Sequence, residues 1–133
     1  GEYIINVTMI GYGVFKKGTP LFKITKSAVK NLNIHFDELN DHLNEKKWID
    51  GNKFSLADIT WMVILHRLDE IQLIDRLLMN KHNLKKYYNE LKERESFTES
   101  ITNFNHPSID IGINRLKIEI SRNKNLNNFY SSI

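Results

Sequence analysis

Ser55, Asp58 and His66 are the residues whose types could carry nucleophilic chemistry, a hydroxyl, a carboxylate and an imidazole within twelve positions of one another. Such a set works when the imidazole takes the hydroxyl proton and the carboxylate orients the imidazole. The spacing argues for a different role. Ser55 opens an apolar run and precedes Asp58 by three residues, so its hydroxyl can accept from the Asp58 N–H while the Asp58 carboxylate reaches back to the Ser55 N–H. That is a capping box in its aspartate form. Phe54 and Ile59 flank it at the two positions of a hydrophobic staple, which would fix the angle at which the chain enters a helix. Phe54, Ser55, Asp58 and Ile59 are therefore expected to be structural, and no catalytic residue is assigned.

The other chemical candidates are weaker. His35 and His42 lie seven residues apart, so they can share a helix face, but no third ligand at i+3 or i+4 completes a metal site and none is expected. Lys16-Lys17 and Lys85-Lys86 with Tyr87-Tyr88 pair cations with aromatics, as nucleic-acid surfaces do. On helices the same pattern is a solvated face backed by core rings, so nucleic acid is not expected as a partner. His66 and Arg67 close an apolar run, where the macrodipole favours cations and C-terminal carbonyls accept from them; structural and substrate-facing roles are both open for Arg67.

The element that positions these residues is the run LADITWMVILHRL after Ser55, apolar nearly all the way round. It reads as a central helix, about residues 55–69, inside its domain. It is too short for a membrane span, which needs about 20 apolar residues. Ahead of it Gly51 suits the positive φ of a tight loop. Thr19-Pro20 offers an N-cap and a proline at N1 for a long helix from Pro20 to Lys46, with Ile24, Ala28, Leu32, Phe36, Leu39 and Leu43 as its stripe. Residues 2–15 tolerate a strand by propensity, but Tyr3, Val7, Ile10 and Val14 fit a helix. After the central helix, Asp69 to Met79 either continues it or forms a short second one. Asn83 is the N-cap expected for a helix reaching Ile101, with Phe97 closing its apolar face. His106-Pro107 marks a stop. Ile109, Ile113, Leu116 and Ile120 fit a helix beyond it, although alternation like that of a strand is also present.

The 133 residues, 41% of them apolar, suffice for one domain with its own core. The expected division is a single helical domain over 1–120 and a polar, Asn-rich tail over 121–133. No cysteine is present, which excludes disulfides, thiolate metal sites and a cysteine nucleophile within this stretch. The 19 Lys and Arg are interspersed with 16 Asp and Glu for a net charge of +3, a balance that selects no polyanionic partner. Neither a leader nor a membrane span is legible, and cytoplasmic residence is expected.

Trp48, Gly51, Phe54, Ser55, Ala57 and Asp58 in WIDGNKFSLADI resemble the start of the core helix in the C-terminal domain of cytosolic glutathione transferases. Downstream, Asn83-Leu84, Tyr88 and Arg94 with Phe97 resemble the family's N-L-x-x-[WY]-Y and R-P-x-F stretch. His82 and Glu95 stand where the family commonly has proline. The run Leu65-His66-Arg67-Leu68 is similar to the ganglioside-induced differentiation-associated branch. The resemblance covers residues 20–104 and implies an all-α bundle around the buried central helix. It also implies that glutathione is a co-substrate held by a thioredoxin-like domain, which is not legible in this stretch, so the chain alone is expected to be inactive and to bind no cofactor. The helical domain would line the co-substrate pocket, with Tyr3, Tyr12 and Arg67 as candidates, and contribute to a homodimer. The alternative is a non-catalytic, free-standing helical module for protein–protein interaction.

Overall fold

The computed structural model describes residues 18–133, so the segment expected to form a first helix, with Tyr3 and Tyr12, lies outside the described residues. Among those described, seven α-helices follow one another: α1 (Pro20–Glu45), α2 (Leu56–Glu70), α3 (Ile74–Leu77), α4 (His82–Lys92), α5 (Glu95–Ser100), α6 (Pro107–Arg122) and α7 (Lys124–Ser131). A 3₁₀ turn, Thr102–Phe104, separates α5 from α6. The architecture is all-α, with no strand among the described residues; two isolated bridges close the loop ahead of α2.

The start of α1 follows its capping signals. The Thr19 hydroxyl accepts from Phe22 N at 3.3 Å, and Pro20 takes the first helical position, where no N–H partner is needed. The buried stripe follows the expected one at Phe36 and Leu39, with Leu32 and Leu43 packed beside them, and departs from it toward the N-terminus. Thr25, Val29, Phe36 and Leu39 face the core, while Ile24 is exposed. A series spaced only by four residues drifts about 40° per step at 3.6 residues per turn, so Ile24 ends up about 120° away from Phe36. Thr25 satisfies its hydroxyl by donating to Leu21 O at 2.9 Å, which lets a polar residue sit in the core.

Contacts between α1 and α4 build one wall of the core. Lys81 Nζ donates to Asn33 Oδ1 at 2.9 Å and pairs with Asp37 Oδ1 at 3.0 Å. Helix α4 begins at His82, one residue before the expected Asn83 cap. The cap comes instead from another helix: Asn40 Oδ1 accepts from Leu84 N at 3.0 Å, and the Asn83 amide donates to Asn40 O at 3.2 Å. Leu84, Tyr87, Tyr88 and Leu91 then lie buried along α4.

The helix expected to reach Ile101 breaks at Arg94, whose ψ of 139° is extended. Its guanidinium lies 3.6 Å over the Phe54 ring and 5.4 Å from that of Trp48, contacts that compensate for the break. His106-Pro107 ends one segment and begins another, with the His106 imidazole accepting from Ser108 N at the head of α6.

The tail requires correction. Residues 124–131 form α7, and Leu126, Phe129 and Tyr130 are buried to 1% exposure or less. Their spacing of three and one places all three on one side, and Asn123 caps the helix by accepting from Asn125 N and Leu126 N. Composition masked this, because the asparagines and serines that read as tail form only the outward face. The Tyr130 phenol donates to Ile71 O at 2.7 Å, and Phe129 packs edge-on against Phe22 with centroids 5.5 Å apart. The helical domain therefore extends through the residues first assigned to a tail.

Candidate functional site

The region bearing the recognised motif is built from the loop upward. Trp48 and Gly51 exchange two backbone hydrogen bonds, 2.8 and 3.1 Å, in a tight turn that requires φ of 83° at Gly51. Trp48 points inward, where its ring meets Phe54 and Tyr87 at centroid distances of 5.2 and 6.0 Å.

Asp58, fully buried, joins the loop to two helices. Its Oδ2 accepts from Ser55 N at 2.8 Å, and the Ser55 hydroxyl donates to the same oxygen at 3.3 Å. Its Oδ1 accepts from Ile49 N at 3.0 Å and from the Tyr87 phenol at 2.8 Å. Four donors around one carboxylate make its burial tolerable. Burial, with the Asp58 hydrogen bond and charge adding to it, pushes the Tyr87 phenol well above its ordinary value of 10.0. The reach of Asp58 to Ile49 and Tyr87 was not legible, because it depends on the loop and α4 arriving beside the start of α2.

The middle of α2 departs from the expected all-round burial. Met62, Leu65 and Leu68 face the core, whereas Leu56 is 76% exposed, Ile59 39% and Val63 45%. These three lie within about 60° of one another around the helix axis and form an outward apolar ridge. An apolar sequence all round therefore means two faces, only one of which the other described residues cover. Phe54 packs on Trp48 and Arg94, while Ile59 stands on the ridge.

At the far end of α2, Arg67 continues the ridge and pairs its Nη1 with Glu70 Oε2 at 2.6 Å. His66 Nε2 lies 3.2 Å from Glu70 Oε1, at ion-pair distance but without hydrogen-bond alignment, and its ring stands edge-on to Phe97. Glu70 is thus shared by two neighbours on its own helix. The Tyr88 phenol donates to Asp69 Oδ2 at 2.8 Å and is raised above its ordinary value by burial first, then by that hydrogen bond and the acidic pair Asp69 and Glu70. Gln72 follows with φ of 62° and donates its amide to Asp69 O and Glu70 O, closing the helix.

The structure does not bring Ser55, Asp58 and His66 together as a triad. Ser55 and His66 are eleven residues apart on one helix, about 16 Å along its axis, and His66 faces Glu70 instead. His35 contacts Glu38 and His42 faces Trp48 O, each at 3.3 Å. Among the described residues no group of three His, Cys, Asp or Glu could hold a metal ion, and no helix is long and apolar enough to cross a membrane. What the arrangement offers is an apolar ridge ending in a cation, on a helix whose start is rigidly anchored.

Comparisons with known proteins agree with this geometry. The family model for the glutathione S-transferase C-terminal domain matches residues 15–101. The tetrachloro-p-hydroquinone reductive dehalogenase of Sphingobium chlorophenolicum is 37% identical over 70 residues, 53% of this chain and 28% of that protein. The chain thus corresponds to under a third of the relative's length. No solved structure matches. The all-helical fold, the motif at the head of α2 and a family match across well over half its residues place this chain in the glutathione S-transferase family, as a C-terminal domain.

Proposed function

We propose that this domain is the co-substrate half of a glutathione transferase-like enzyme, and that a thioredoxin-like domain outside these 133 residues supplies glutathione and the group that activates its thiol. The observation that carries this reading is the ridge of Leu56, Ile59 and Val63 on α2. A stripe of three large apolar residues, exposed on the helix that bears the family motif, fits a surface that another domain covers. The similarity to a reductive dehalogenase over 28% of that protein's length favours a longer parent and a halogenated aromatic co-substrate. The reaction would be attack of the glutathione thiolate on an electrophilic carbon, forming a C–S bond and releasing halide. In this scheme Tyr3, Tyr12 and Arg67 line the co-substrate side of the pocket, and the parent works as a cytoplasmic homodimer.

The test begins with the intact mass and N-terminal sequence of the protein from its native source, followed by assay with glutathione and an aryl halide. A parent heavier than 15.7 kDa that conjugates the aryl halide, and loses turnover when its upstream nucleophile is altered, supports the proposal. A native protein without turnover that co-purifies in a stable complex overturns it in favour of a free-standing interaction module.

A further inference from the structure

The chain carries a short internal repeat near its C-terminus. Residues 111–117 and 118–124, IGINRLK and IEISRNK, share two isoleucines, an arginine and a lysine at matching positions, and Asn114 is matched by Ser121. Residues 111–122 lie on α6, where a step of seven returns each matched pair to within about 20° of the same direction. Ile113 and Ile120, the second isoleucine of each unit, are half-buried on the side of α6 that holds the buried Leu116. Ile111 and Ile118, the first of each, fall on the opposite side and are 69% and 48% exposed. Here lies the source of the alternation that resembles a strand in the sequence: α6 has two apolar faces, and the other described residues cover one.

The outward isoleucines have arginines beside them. Arg115 and Arg122 follow four residues later, about 40° round the helix, and both are exposed. Asp110 and Glu119, the acids of α6, stand about 80–100° away on the two flanks. Lys117 and Arg122 have no ion pair among the described residues. Ser121 donates its hydroxyl to Ile118 O at 2.6 Å, so it brings no unsatisfied donor to this face.

We infer that the outward face of α6 docks an amphipathic helix of a different protein, one whose apolar stripe is bordered by glutamate or aspartate. Isoleucines seven residues apart, each with a cation four residues on, are the heptad a and e positions of a helix that receives another: the a residues seat the partner's apolar stripe and the e charges select the partner. The same charges disfavour a second copy. Antiparallel packing of two α6 helices sets arginine against arginine, and parallel packing sets Lys117 of one copy against Arg122 of the other. Helix α6 begins at Pro107, beyond the residues 15–101 that the family model matches, so this docking face does not depend on the family reading. The contact spans about 17 Å of helix and falls well below the ~800 Å² per partner of a standard interface. The complex is accordingly weak and dependent on salt.

The experiment is amide NMR of the nitrogen-15-labelled 133-residue chain, titrated with a synthetic three-heptad peptide that carries Leu at a and d and Glu at e and g. The expected result is a set of shifts on α6 that saturates with a Kd on the order of 0.1 mM at about 0.05 M NaCl. Ile118→Asn abolishes them, and Arg122→Glu weakens binding about tenfold. The chain with both Arg115→Glu and Arg122→Glu reverses its preference and binds a peptide with Lys in place of Glu more tightly. All three sites are exposed, and circular dichroism confirms that each variant is folded. An α6 that does not respond to millimolar peptide overturns the inference, as does equal affinity of the native chain for the Glu and Lys peptides. Binding to phosphatidylserine vesicles without binding to the peptide overturns it in favour of a lipid surface. A longer parent protein whose α6 amides no longer respond to the peptide also overturns it, giving this face to another domain of the same chain.

Discussion

The phenol of Tyr87 on α4 donates to Asp58 Oδ1 on α2 at 2.8 Å, and both residues are buried. This bond links the head of the motif helix to the next wall of the core, 29 positions along the chain. Removing the acceptor by Asp58→Ala also leaves the Ile49 and Ser55 N–H groups without their partner. The expected loss is roughly 3–5 kcal/mol of unfolding free energy, against about 1–2 kcal/mol for Tyr87→Phe. Urea titration of both single variants and the double variant measures this. The effect of Tyr87→Phe should shrink once Asp58 is gone, and strict additivity would show that the two residues do not act together.

Three buried phenols make the fold sensitive to alkali. Tyr87, Tyr88 and Tyr130 are all raised above 10.0, each chiefly by burial, with Arg76 opposing the shift at Tyr130. The folded state holds these protons more tightly than the unfolded chain, so this stabilisation is fully present below pH 10 and is lost as pH rises toward the folded values. Stability should fall by about 1.4 kcal/mol per pH unit for each tyrosine, about 4 kcal/mol per unit for the three together. Thermal melts across this window, repeated on single Tyr→Phe variants, should each show one third of the slope removed.

Helix α7 completes the core. Tyr130→Ala should cost about 3–5 kcal/mol, as for other large buried side chains, whereas Tyr130→Phe loses only the hydrogen bond to Ile71 O, about 1 kcal/mol. Deleting residues from Lys124 onward would expose Phe22 and the turn at Ile71. A melting temperature unchanged by that deletion would return these residues to the status of a tail.

The loop ahead of α2 depends on Gly51 for backbone reasons alone. Its φ is 83°, and a Cβ placed there meets nothing within 4 Å. Gly51→Ala should therefore cost about 1–2 kcal/mol by strain and not by clash. Gly51→Asn should cost less, because asparagine visits the left-handed region more readily; equal losses in chemical denaturation would point to a packing cause instead.

The sequence was most informative where a few neighbouring residues decide the outcome. Thr19-Pro20 starts α1, Ser55 starts α2 and Gly51 takes a positive φ because each depends on its own backbone and the next one or two turns. The family was legible for the same reason, since WIDGNKFSLADI encodes a turn, a cap and the head of a helix within twelve residues.

What only the tertiary structure decided is everything that depends on a distant partner. Asn40 rather than Asn83 caps α4 because α1 happens to pass there, and Arg94 interrupts a helical pattern because Phe54 and Trp48 receive its guanidinium. Leu126, Phe129 and Tyr130 become core because Phe22 and Ile71 leave a place for them, although their neighbours read as a polar tail. Leu56, Ile59 and Val63 remain outside for the complementary reason. Hydrophobic pattern states that a face favours burial, and only the arrangement of the other helices settles whether this domain supplies the cover.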